Sequence, residues 1–294
     1  MLQSSMAART VLFGMMTCAV AASGQAKKPS GFKSNKAAMD APLPDAAAIK
    51  QRVVENLKAM RAEQERYLCR VVNHGEKTDK NGNVKKSVER KYDMFYVNGR
   101  EIDQLVEKDG KPLNADQQKK ESERVQKQIA KDSDEKHIAK ADAEDEKDLD
   151  TLLHALKFTN GHRQMVNGRS TLYYDLIGDP NFHPKGPAET FLHNMSGAIA
   201  ADEESGQLVE LNAHLDHDVK IGGGFVANVH KGLWMHVHQV RQPDGVWIND
   251  LSEGKGDARA ALFMHPYFQF RQTIDSCKLT DVTTQTSAPS VAKK

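Results

Sequence analysis

The sequence predicts a mainly β fold with added helices (α+β), built on an antiparallel sheet, and three observations carry that expectation. Through residues 195–275 apolar side chains recur at every second position, as in Val209, Leu211, Ala213 and Leu215 alternating with Glu210, Asn212 and His214. Period two means strands, because successive side chains of a strand point to opposite faces. Turn-forming clusters at residues 203–206, 231–232, 243–245 and 254–256 cut these runs into lengths suited to a meander of hairpins. Asn-Gly pairs between short apolar runs further upstream, at Asn81-Gly82 and Asn167-Gly168, extend the same pattern towards the N-terminus. The meander alone accounts for roughly five to six strands, at the spacing of a sandwich or barrel.

The chain begins with features of an export signal: Arg9 ahead of an apolar stretch over residues 11–22, then the small-x-small triplet Gly24-Gln25-Ala26. That stretch is too short to span a bilayer. Residues 1–26 are therefore expected to be removed, Cys18 with them, and the mature protein to be exported. Residues 27–44, rich in Lys, Ala and Pro, carry no periodicity and read as a disordered linker. Asp45 is a good N-cap, and Ile49, Val53, Leu57, Met60 and Gln64 follow at helical spacing. Only one side of this helix is apolar, so it should lie across an apolar surface.

The period switches at Tyr67. Strands are expected over residues 68–72, 91–97 and 101–108, with a hairpin at 79–83 between the first two. Residues 114–148 are almost entirely charged or amide, with Val125, Ile129 and Ile138 as apolar anchors and opposite charges four apart. They read as a solvated helical excursion, or alternatively as a partner-binding arm. A short amphipathic helix over 149–156 would return the chain, making 114–156 a charged helical insertion. Strands resume at 157–166 and 170–177, a helical turn is expected at 188–193, and residues 282–294 form a polar tail.

The charge balance, 41 basic against 40 acidic residues, excludes a binder driven by nucleic-acid phosphates. Signal removal leaves Cys69 and Cys277. An even pair in an exported protein suggests one disulfide, the alternative being two buried thiols. No hydrolase elbow, zinc-protease helix, P-loop or dinucleotide fingerprint is present. The Gly222-Gly223-Gly224 run precedes no helix and reads as a bend or bulge. His214, His217, His236 and His238 are the weak candidates for a metal site, which would need several of them to converge. Trp234 reads either as packing or as the wall of an apolar cavity shared with Phe225, Phe263 or Phe268.

Two stretches carry a resemblance. One is Gly197-x-Ile199-x-x-Asp202 with Gly206-x-Leu208-Val209-x-Leu211. The other is Gly232-x-Trp234 followed by Pro243-Asp244-Gly245-Val246-Trp247. With the N-terminal helix and the Asn167-Gly168-Arg169 hairpin, the chain resembles the LolA-like superfamily of periplasmic lipoprotein carriers, outer-membrane lipoprotein receptors and RseB-type sensor domains, over roughly residues 45–280. The resemblance implies an unclosed antiparallel half-barrel of about ten or eleven strands over residues 45–281, with helices covering its open side. Its cavity would hold a lipid or lipoprotein acyl chain. Val53, Leu57 and Met60 would line it from the helix, and Leu211, Phe225, Trp234, Phe263 and Phe268 from the sheet. The expectation is a periplasmic, monomeric carrier with no enzymatic activity and no cofactor. Its rivals are a sensor or scaffold holding an envelope protein through 114–148, and a His-dependent metal enzyme.

Overall fold

The computed structural model describes residues 41–79, 81–221, 227–260 and 267–280. The export signal with Cys18, the linker up to residue 40, the glycine run 222–224, Phe225, Phe263 and the tail 282–294 lie outside the described residues. Of the linker, residues 41–44 are described, and Arg163 donates to the carbonyls of Ala41 at 2.7 Å and Pro42 at 3.3 Å.

The element order is α1 (Ala46–Gln64), β1 (Tyr67–Thr78), β2 (Val84–Val97), β3 (Arg100–Lys108), β4 (Lys111–Pro112), α2 (Ala115–Asp132), α3 (Glu135–Ala155), β5 (Leu156–Val166), β6 (Arg169–Gly178), α4 (Pro187–His193), β7 (Met195–Asp202), β8 (Leu208–Leu215), β9 (Val219–Ile221), β10 (Ala227–Val229), β11 (Trp234–Arg241), β12 (Trp247–Ala260) and β13 (Tyr267–Leu279). The fold is mainly β, as the alternation predicts. Eleven strands form one unclosed antiparallel sheet in the order β4-β3-β2-β1-β13-β12-β11-β8-β7-β6-β5, and the β9–β10 hairpin attaches to β12. The hairpins at Asn98-Gly99, Asp109-Gly110 and Asn167-Gly168 have positive φ at both residues. That is the geometry whose twist matches the flanking strands and which Asn, Asp and Gly tolerate.

The first and last strands are neighbours inside the sheet, and its two ends come from mid-chain. In the β1–β13 register Cys69 faces Cys277, and the two form a disulfide with Cα atoms 4.1 Å apart. The sheet ends, β4 and β5, are joined in sequence by α2 and α3.

Asp45 caps α1 as expected, accepting from the Ala48 amide at 3.1 Å. One side of α1 buries Ile49, Val53 and Val54 in the main core, with Leu152 and Ala155 of α3, Phe191 and Leu192 of α4, and sheet residues such as Leu172, Leu211 and Val237. The insertion is packed as well as solvated. Val125 and Ile129, one turn apart on α2, are buried against Phe95, Val97 and Ile102 of β2 and β3. A capping box between Asn114 and Gln117 starts α2. Arg100 of β3 reaches Asp142 and Asp145 of α3 at 2.5 Å each. Two apolar residues four apart are a weak sequence signal, yet they suffice to seat one helical stripe. Ile129→Ala is expected to cost roughly 2–4 kcal/mol of stability, and native-state hydrogen exchange should show the earliest opening in α2. Among the described residues no helix is long and apolar enough to cross a membrane.

Candidate ligand-binding groove

Directly opposed residues of antiparallel strands share a face, and register places three rows side by side. The first row is Val237, Ser252, Gln272, Asn73 and Arg90; the second is Met235, Gly254, Phe270, Gly75 and Val88; the third is Gly256, Phe268, Lys77 and Lys86. The members of these rows on β1, β2 and β13, with Met235, Leu233 and Trp234, line a groove of about 880 Å³. Small-molecule sites commonly span about 300–1,000 Å³.

Glycine shapes the apolar part. A Cβ on Gly254 would lie 3.0 Å from the Phe270 ring and 2.6 Å from the Trp234 carbonyl oxygen. A Cβ on Gly256 would lie 3.0 Å from the Phe268 ring and 2.9 Å from the Leu233 side chain. The two rings therefore occupy space that any other residue on β12 would fill. Phe268, Phe270, Leu233 and Met235 make the apolar side of the groove. Asn73 donates to Gln272 at 2.8 Å, which ties the two amides together at the edge of the groove.

The other side is basic. Lys77 and Lys86 are exposed and directly opposed, and Arg90 lies on the same face of β2. None of the three is ion-paired to a carboxylate among the described residues. The carboxylate that lines the groove, Glu76, is already engaged by His74 at 3.1 Å and by Gln269, and the His74 contact holds it below the usual carboxylate range.

A second, smaller cavity of about 70 Å³ lies between α1, α3, α4 and the sheet. Val53, Leu57 and Leu211 line it, and Met235 lines both cavities. Its one charged group is Lys50, whose ammonium donates to the carbonyls of Leu153 and, at 2.7 Å, Leu156. Burial lowers the Lys50 pKa, and the end of α3 supplies the carbonyls and the negative dipole end that accept the charge.

Of the residues expected to line one cavity, Val53, Leu57 and Leu211 lie at the small one, Trp234 and Phe268 at the groove, and Phe225 and Phe263 outside the described residues. Met60 sits elsewhere, clustered with Ala200, Val209 and Trp247. The histidines are held in separate local pairs: His214 with Asp216 at 3.1 Å, His217 with Asn194 at 2.5 Å, and His238 with Asp250. His236 stands between Glu210 at 3.0 Å and Glu253 at 3.4 Å. The hydrogen bond that His238 donates to Asp250 raises the His238 pKa against the opposing effect of burial. Among the described residues no group of three or more His, Cys, Asp or Glu side chains is arranged to hold a metal ion.

Sequence reasoning missed Lys77, Lys86, Arg90, Leu233 and Phe270. The expected strands ended at Val72 and restarted at Lys91, whereas β1 runs to Thr78 and β2 begins at Val84. The polar ends of both strands lack apolar alternation. The usable signal was the hairpin itself: pairing outward from Asp79 and Asn83 puts Asn73, Gly75 and Lys77 on one face by period two.

No family model, no curated protein and no solved structure matches this chain.

Proposed function

We propose that this chain is an exported, periplasmic carrier that binds an acyl chain of a lipid or lipoprotein, built as a half-barrel whose inner face is covered by α1. The observation that carries the reading is the groove of about 880 Å³ walled by Phe268, Phe270, Leu233 and Met235 over Gly254 and Gly256. An apolar face left open to water is costly, and an alkyl chain laid on it gains about 0.8 kcal/mol per buried CH₂. The small cavity behind Met235 supports the same reading, because a shift of that flexible thioether side chain would join the two spaces. The disulfide fits an oxidising compartment. No covalent step is required of the protein, and no cofactor.

The test is binding of a neutral alkyl probe, dodecanol, by calorimetry, together with mass spectrometry of lipids that copurify with the full mature chain. Saturable binding is expected. The double variant Phe268→Asp/Phe270→Asp should weaken it by more than roughly tenfold, since each charge would be buried beneath the chain. Absence of alkyl binding to the wild-type protein would overturn the reading.

A further inference from the structure

The groove is divided by charge, and the division is not the one that solubility alone would produce. Lysines often protect exposed sheet edges from pairing with other chains. Lys77 and Arg90, however, lie where their strands have a neighbour on each side, and only Lys86 lies on the stretch of β2 that β3 does not reach. Lys77 stands directly opposite Lys86, and like charges so placed are destabilising. Neither lysine is ion-paired to a carboxylate among the described residues, and Glu76 directs its hydrogen bonds to His74 and Gln269. The apolar wall on β11 to β13 and the cations on β1 and β2 face one continuous space.

We propose that this space takes an anionic amphiphile, a carboxylate or phosphate head on an alkyl chain, with Lys77, Lys86 and Arg90 as the seat of the head group. The proposal rests on the acyl-chain reading of the groove and adds the ligand's head-group chemistry and its orientation. The chain lies over Phe268 and Phe270. The head lies towards β2, where Arg90 offers a planar fork for two oxygens and the lysines offer mobile point charges. The bound anion removes the repulsion between Lys77 and Lys86, so the seat is completed by its ligand.

The experiment compares dodecanoate, dodecyl phosphate, dodecanol and dodecyltrimethylammonium on the full mature chain by calorimetry, the ionic probes below their micelle concentrations and dodecanol below its solubility limit. Both anions are expected to bind roughly tenfold tighter than dodecanol at low salt, the cation more weakly than dodecanol, and the gap to shrink at high salt. The triple variant Lys77→Gln/Lys86→Gln/Arg90→Gln should abolish the preference for anions, bringing their affinity down to that of dodecanol. Equal binding of anions and dodecanol by the wild type overturns the head-group assignment and leaves the acyl-chain reading standing; so does a preference that survives the triple variant. Inorganic phosphate binding as tightly as dodecyl phosphate overturns the amphiphile in favour of a free anion. Loss of all alkyl binding, dodecanol included, overturns both.

Discussion

Replacing both cysteines, Cys69→Ala with Cys277→Ala, is expected to lower the melting temperature by roughly 8–15 °C, from a stability loss of about 3–5 kcal/mol. The two residues are 208 positions apart in sequence, so the bond closes nearly the whole domain into one loop. Chain-entropy models put such a constraint on the unfolded state at about 5 kcal/mol, and measured values generally run lower. In the folded state the bond adds little ordering, because β1 and β13 are paired along their lengths with a single register shift between Arg70 and Val71. The effect should therefore appear mainly as faster loss of order once the ends separate, and reduction of the wild type should reproduce it. A double variant melting within about 2 °C of the wild type would refute this account, as would two free thiols titrating in the unreduced mature protein.

The second large effect is expected at Arg169. Its guanidinium grips Asp202 with Nε at 2.6 Å and Nη2 at 2.8 Å, and that carboxylate is 1% exposed. Ser205 adds its backbone amide at 2.8 Å and its hydroxyl at 2.7 Å. Burial pushes the Asp202 pKa up, but the hydrogen bonds from Arg169 and Ser205 outweigh it and hold the group below the usual carboxylate range. Arg169→Met leaves a buried carboxylate with only the Ser205 donors, at a cost of about 3 kcal/mol. Arg169→Lys should recover part of it, keeping the charge and losing the bidentate fork. The sign with pH follows from the lowered folded-state pKa. The contribution is fully present above the unfolded value of about 4 and is lost as pH falls through the folded value. Urea unfolding at neutral pH should separate wild type from Arg169→Met by that amount, and the separation should narrow below about pH 4. A gap that stays constant down to pH 2 would show that Asp202 is not the group through which Arg169 acts.

Local chemistry written into the chain accounts for the elements. Asp45 ahead of Ile49 and Val53 started a helix where expected, Asn167-Gly168 made a tight hairpin, and alternation produced strands in the described parts of 195–275, although β12 runs straight through the turn expected at 254–256. Even the Cys69–Cys277 pairing was foreseeable, because two cysteines left after the expected removal of the signal leave one intramolecular choice. Each of these depends on residues within a turn or two of one another, or on a count. What lay beyond the sequence depended on register and on which strand lies beside which. The sequence order places β1 and β13 at opposite ends, and only pairing across the sheet puts them side by side. Val125 and Ile129 read as anchors of a solvated helix, and only Phe95 and Ile102 beneath them make α2 a packed one. The groove shows the same division. Phe268 and Trp234 were visible as large apolar residues, but Lys77, Lys86 and Arg90 were only three cations among 41. Their meaning comes from sharing a face with two phenylalanine rings, and that face is decided by long-range strand pairing, which a period of two cannot by itself assign.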